Sequence, residues 1–241
     1  MKIERLCVDN LNEGVFCAID KPNGDKMHGQ LGAWLEGGQL RGQIARENDT
    51  VAGFILYYPI EHAPLDVDGE GLYVVQCIYV KPEYQNQGFG RALIESALAD
   101  ARDHGASGLA VEGFKPQGSG AFDYMPGTFF EQMGLSPGES RGQSTLYYTN
   151  FKERASHPQY LDPRFSPPVD NLKVRVDMLD CRNCYVGITN REVVESVVEE
   201  AGDVDLVIHD QNSRETVVDK GMSSGIFIDG KLTFFRGPVS E

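Results

Sequence analysis

Positive charge is scarce in this 241-residue chain. Lys and Arg number 22 against 36 Asp and Glu, a net charge of −14 at pH 7. That balance excludes the basic face a nucleic-acid backbone requires, so no nucleic-acid partner is expected. It leaves room for an anionic small molecule held by backbone amides. Long apolar runs are missing too. The longest candidate, Val51 to Ile60, is too short to span a bilayer and ends at a proline, so no membrane partner is expected. The opening Met1-Lys-Ile-Glu-Arg5 holds no apolar signal-peptide core, which argues for a cytoplasmic protein. Cysteine is sparse and odd in number: Cys7, Cys17, Cys77, Cys181 and Cys184. Without a signal peptide such a count is not a disulfide framework. His28, His104, His157 and His209 show no ligand-like spacing, and no metal site is expected.

What is present suffices for a packed core: 41% of residues are apolar and 24% charged. One composition shift divides the chain. Between Phe151 and Asp170 periodicity disappears and prolines stand at 158, 163, 167 and 168. Proline disfavours helix and central strand, so 151–171 reads as a linker between a domain over 1–150 and a smaller one over 172–241. Met27 to Ile44 reads as one or two helices interrupted at Gly37-Gly38. Val51–Tyr58 and Leu72–Val80 read as strands, the second apolar enough for a central position. A helix carrying Leu93, Ile94, Ala97, Leu98 and Ala101 at a period near 3.6 follows residue 90. Short strands over Gly108–Gly113 and Ser144–Thr149 flank a short helix around Phe129 and Phe130. Strands and helices alternate in an α+β pattern with a mixed sheet.

The chemistry lies between the central strand and the helix after it. Gln85-Asn-Gln-Gly-Phe-Gly90 has the form Q-x-x-G-x-G. Glycines let the backbone turn tightly and approach a ligand, and the helix start adds unpaired N–H groups and the positive end of its dipole. Together these make an anion site suited to a pyrophosphate. The spacing differs from the dinucleotide fingerprint and lacks the Gly-Lys-Ser/Thr of a P-loop.

The run V-x-P-E-Y-Q-x-Q-G-x-G-R-x-L-I, starting at Val80, strongly resembles motif A of the GNAT N-acetyltransferase superfamily. Phe129-Phe-Glu-Gln-Met-Gly-Leu135 resembles that family's aromatic helix. The resemblance covers roughly residues 1–150 and implies acetyl-CoA as cosubstrate. It puts the pantetheine arm on backbone groups of Ile78, Tyr79 and Val80. It puts the pyrophosphate on amides of Asn86, Gln87, Gly88, Phe89, Gly90 and Arg91, with Gln85 as a further cofactor-binding residue. The reaction implied is direct attack of an amine, here a small molecule, on the acetyl carbonyl. Such a reaction needs a group to take the ammonium proton and donors for the oxyanion and thiolate.

The chain departs from the family at two points. Phe130 stands where many relatives carry a Tyr that protonates the thiolate, and strand 72–80 has no carboxylate. The remaining candidates are Glu61 and His62 in the loop before that strand, Glu112 on the next one, and Tyr124 ahead of the aromatic helix. Solvated loop residues, an edge carboxylate and a packed tyrosine are the competing readings of these four. A homodimer is admitted as a further partner.

After the linker come a strand over Val174–Met178, Cys181-Arg-Asn-Cys184, a helix over about 186–201, a strand over Asp205–His209 and a hairpin over Gly225–Phe235 that turns at Asp229-Gly230. This order resembles a thioredoxin-like domain over roughly 172–241. A C-x-x-C at a helix N-terminus is expected to lower the first thiol's pKa, with Cys181 attacking and Cys184 resolving. Two departures stand beside it. Ser223-Ser-Gly225 occupies the place where that family has a cis-proline, and no terminal helix is read before Glu241. A single C-x-x-C supplies two ligands, too few for zinc. The combination resembles the YoaP-type architecture, which joins a GNAT acyl-CoA acyltransferase domain to a small thioredoxin-like α/β domain. The other functions kept open are an acyl-CoA sensor without turnover and a thiol-redox protein.

Overall fold

The computed structural model describes residues 1–18, 21, 23–115, 124–153, 155–169 and 173–235. The chain divides into two compact units. The first comprises Met1–Phe16, Gly32–Ala63 and Val67–Tyr160; the second comprises Cys17–Leu31, Pro64–Asp66 and Leu161–Glu241. The stretch expected as a linker therefore lies in both units. Gln159–Tyr160 pairs with Val67–Asp68, and the N–H groups of Arg164 and Phe165 donate to Lys220 O.

Along the chain the elements are β1 (Lys2–Arg5), α1 (Val8–Gly14), α2 (Gly24–Glu36), β2 (Arg41–Glu47), β3 (Thr50–Pro59), β4 (Val67–Asp68), β5 (Leu72–Val80), α3 (Phe89–Asp103), β6 (Gly108–Phe114), α4 (Gly127–Gln132), β7 (Ser136–Arg141), β8 (Ser144–Asn150) and β9 (Gln159–Tyr160). A seven-stranded sheet runs in the order β1-β2-β3-β5-β6-β8-β7. Its neighbours are antiparallel except β5 and β6, so the sheet is mixed. β5 takes the central position its apolar run predicts, because a strand buried on both faces cannot afford polar side chains. The stripe Leu93, Ile94, Ala97 and Ala101 on α3 packs with Ile55, Val75, Leu109 and Val111 of the sheet and with Phe130 of α4.

The expectation of helix as far as Ile44 is corrected. Gly38, at φ +71°, follows the end of α2, and Arg41–Glu47 is strand β2, laid antiparallel on β3. A short mixed segment fits either period, and pairing with a neighbour decides it. Strands β1 and β7 went unread for the same reason. β7 is an edge strand whose first five residues are exposed, so it carries no apolar alternation.

In the second unit β10 (Val174–Asp180), α5 (Tyr185–Ala201), β11 (Val204–Asp210), α6 (Arg214–Lys220), β12 (Gly225–Ile228) and β13 (Lys231–Phe234) follow in turn. The four strands are ordered β11-β10-β12-β13, with β10 parallel to β11 and antiparallel to β12. Asp229 and Gly230, at φ +47° and +75°, form the hairpin turn read from the sequence. Helix α6, unread before, is capped by the Ser213 hydroxyl, which accepts from Thr216 N at 3.2 Å. All described peptide bonds are trans.

Candidate acyl-donor cleft

β5 and β6 pair only from Leu72–Val75 against Gly108–Val111, although β5 continues to Val80 and β6 to Phe114. Beyond Val75 the strands part. A bulge helps to turn β5 away. Leu56 faces Cys77 and Tyr57 faces Val75, which leaves Gln76 as the extra residue. The chain at Met125 and Pro126 fills the place beside β6 instead. Phe114 N–H donates to Met125 O at 3.0 Å, and Phe114 bridges Pro126.

The parted strands open a cleft of about 460 Å³. One wall is the end of β5, Ile78, Tyr79 and Val80. The floor is the glycine loop and helix start, with Gln85, Asn86, Gly88, Gly90 and Arg91. The other wall holds Tyr124, Met125 and Pro126, then Thr128, Phe129, Gln132 and Met133 of α4 and its end. Those last four recur at one helical face. Arg91 is the one charged side chain among the described residues lining this cleft, in a chain of net charge −14.

Side chains tie down the loop's shape. Gln85 Nε2 donates to Val80 O at 3.0 Å and Gln87 Nε2 to Glu83 O at 2.7 Å. Asn86 sits at φ +59° and Gly88 at φ +88°, left-handed conformations that aim successive N–H groups to one side. Gly88 is the N-cap of α3 and offers no side-chain cap; the helix's first turn carries no acidic residue. The first-turn amides thus remain without an intrahelical acceptor at the positive end of the dipole. At Gly90 the constraint is space: a Cβ there would stand 3.1 Å from Cζ of Phe129, so that the ring would have to give way by a few tenths of an ångström.

Helix α3 is held in place from its far end. Arg41 grips Asp100 with two bonds of 2.6 and 2.7 Å, and the Tyr57 hydroxyl donates to Asp100 Oδ2 at 2.8 Å. Burial opposes the charge on Asp100, but the bonds from Arg41 and Tyr57 outweigh it and hold the carboxyl below its ordinary value.

The sequence candidates separate in space. Ile78, Tyr79, Val80, Gln85, Asn86, Gly88, Gly90, Arg91 and Tyr124 share the cleft. Phe89 is buried in the core against Tyr84, and the Gln87 side chain is turned to Glu83 O, so both can meet a ligand only through the backbone. Glu61 and His62 are exposed, and Glu61 accepts from Gly71 N at 3.1 Å rather than lining the cleft. Glu112 lies 3.0 Å from the Tyr160 hydroxyl, which is equally near Ser144 Oγ, and is not among the cleft residues. Phe130 is fully buried beside Tyr147, with ring centroids 6.0 Å apart. Tyr84, Thr128 and Gln132 also line the cleft, although the sequence motifs do not single them out as site residues. Their signal was the i, i+4 spacing of Thr128 and Gln132 around the aromatic pair.

In the second unit Cys184 is the N-cap of α5, and Cys181 follows β10. The expected lowering of the Cys181 pKa is corrected. Burial pushes both thiols up, and the carboxylates Asp66 and Asp180 push Cys181 the same way. The helix dipole acts over its first turn only, whereas desolvation acts on any buried charge.

Residues 11–120 match the family model described as Acetyltransferase (GNAT) family. The chain is 24% identical over 131 residues to the Bacillus subtilis (strain 168) protein named "Uncharacterized N-acetyltransferase YoaP", a match covering 53% of this chain and 51% of that protein. It thus spans about half the length of this curated relative. Among solved structures, a GNAT family acetyltransferase from Brucella melitensis in complex with acetyl-CoA is 20% identical, with a TM-score of 0.40 over 63% of this chain and 88% of that one. The PaiA N-acetyltransferase of Thermoplasma acidophilum, in complex with coenzyme A, is 16% identical, with a TM-score of 0.44 over 63% of this chain and 100% of that one. Residues 11–120, with their strand–loop–helix motif in a mixed sheet, are thus similar to the GNAT acetyltransferase family.

Proposed function

We propose that the protein is an acetyl-CoA-dependent N-acetyltransferase acting on a small amine. The observation that carries this reading is one cleft holding both a gap between β5 and β6 and the uncapped start of α3. The amides of Gly88 to Arg91 take the pyrophosphate, with Arg91 adding a cationic side chain. The backbone of Ile78–Val80 borders the pantetheine arm, which brings the thioester to the place where the strands part. The acceptor nitrogen attacks the acetyl carbonyl; a C–N bond forms, the C–S bond breaks and coenzyme A leaves as the thiolate. Tyr124, half-exposed on the opposite wall with its ring 5.8 Å from that of Phe114, is positioned to return a proton to sulfur in place of a phenol at 130. With Glu61, His62 and Glu112 outside the cleft, the ammonium proton goes to water. Holding the two reactants in line supplies much of the rate.

Calorimetric titration with acetyl-CoA, followed by thiol release against a panel of amines, tests the reading. No heat at millimolar ligand removes it; binding without turnover on any amine would leave an acyl-CoA sensor.

For the second unit the reading is a thioredoxin-like dithiol module. Its support is the strand order β11-β10-β12-β13 around a β-α-β crossover, with Cys181 and Cys184 between the first strand and its helix. Measuring the reduction potential of the Cys181–Cys184 pair tests it. A pair that forms no disulfide under an oxidising glutathione buffer contradicts it.

A further inference from the structure

Within the second unit Cys181 is buried, whereas Cys184 is partly exposed. Cys181 is only 6% exposed, and its sulfur meets Pro64 of the segment Pro64–Asp66, more than a hundred positions away in sequence. The Cys181 thiol donates to Pro64 O at 3.7 Å. Each residue of the segment is pinned. Arg214 Nη1 donates to Leu65 O at 3.2 Å, Leu161 N to Asp66 O at 2.9 Å, and Ser223 N to Asp66 Oδ1. Asp66 itself is 2% exposed. Its partner Ser223 lies two residues before β12, the strand beside β10, so the segment runs across the strand ends where Cys181 emerges.

The segment is held by the Arg214, Leu161 and Ser223 anchors together with the Cys181 thiol on Pro64 O. A buried carboxylate at Asp66 is costly to keep from water, and that cost opposes these bonds.

We propose that Pro64–Asp66 is an intramolecular strap that keeps Cys181 from disulfide substrates, so that exchange at this thiol requires the strap to lift. This rests on the dithiol reading of the second unit. With the strap off, the Cys181 thiolate attacks a small-molecule disulfide RSSR and expels one RS⁻. The Cys184 thiolate then attacks the Cys181 sulfur and releases the second. The protein ends with one S–S bond and two RSH leave, taking up the two thiol protons. With the strap in place, Asp66 sets a negative charge beside Cys181 and burial removes water, and both disfavour the thiolate.

The strap is tested by native-state iodoacetamide labelling of the full chain, read cysteine by cysteine by peptide mass spectrometry. Asp66→Ala removes the Ser223 anchor and Arg214→Ala the Leu65 anchor; neither changes a cysteine. Cys181 should label at least tenfold faster in both, while Cys77 in the first unit keeps its wild-type rate. Should Asp66→Ala also speed Cys77, the milder Arg214→Ala decides. An unchanged Cys181 rate in Arg214→Ala overturns the strap, as does wild-type Cys181 labelling at the rate of the urea-unfolded chain. Labelling reports access and thiolate fraction together, and Arg214→Ala, which leaves the Asp66 carboxylate in place, separates access from the loss of that charge. A failed redox reading shows separately, as a Cys181 that labels quickly in the variants yet forms no disulfide with oxidised glutathione.

Discussion

Replacing Gly88 separates the backbone and charge contributions of the anion site. Its φ of +88° is left-handed, and a Cβ there would meet only Met1 Cε, at 3.9 Å, so a side chain has room to extend. Gly88→Ala then carries only the conformational cost, about 1 to 2 kcal/mol. Melting should fall by roughly 3 to 6 °C. Gly88→Glu adds a carboxylate beside the proposed pyrophosphate. At about 6 Å and an effective dielectric near 20, one such charge pair costs roughly 3 kcal/mol, about a hundredfold in affinity. The comparison is calorimetric, with coenzyme A and with pantetheine, which lacks the phosphates. Glu should lose about a hundredfold more coenzyme A affinity than Ala at low salt, with the gap narrowing at high salt because the site is open to solvent. Pantetheine should not distinguish the two variants. Equal coenzyme A affinities for Ala and Glu, or an equal loss of pantetheine, would refute phosphate binding at this turn.

Other perturbations address the supports and the chemistry. Asp100→Asn leaves Arg41 partly buried without its carboxylate and should cost about 3 kcal/mol in denaturant unfolding of the first unit; a loss below about 1 kcal/mol would mean that the pair does not anchor α3. Because Asp100 is held below its ordinary value, its contribution is present above that value and is lost as pH falls through its folded pKa, so the variant should flatten the acid limb of the stability curve. Tyr124→Phe should lower kcat about a hundredfold with the acetyl-CoA KM nearly unchanged; a rate within twofold of wild type removes Tyr124 as the proton donor. Burial pushes the Cys17 thiol up from 9.0 to about 11. The folded state keeps the neutral thiol, so stability is full below pH 9 and falls toward pH 11, by up to about 2 to 3 kcal/mol. Cys17→Ala should flatten that alkaline limb in urea titrations, and an unaltered limb would contradict the burial.

Much of the site was legible because it is local. Val80 to Arg91 form one continuous stretch, so a strand end, a left-handed turn and a helix start are written in adjacent residues. The apolar run of β5 likewise announces a strand covered on both faces. What could not be read is whatever depends on a partner distant in sequence. Arg41–Glu47 is a strand because β3 lies beside it, and the exposed β7 has no pattern except the one β8 imposes.

The same division runs through the chemistry. The sequence alone specified the left-handed turn ahead of α3, because backbone conformation at Asn86 and Gly88 is a short-range property of residue type. It also showed which groups are missing: the phenol at 130 and a carboxylate on β5. Only the tertiary structure decided which candidates reach the cleft, placing Tyr124 in it and Glu61, His62 and Glu112 elsewhere. It reversed the expected shift of the Cys181 thiol for the same reason. A helix start can be recognised from neighbouring residues, but burial under Pro64–Asp66 is created by chain that the sequence keeps far away.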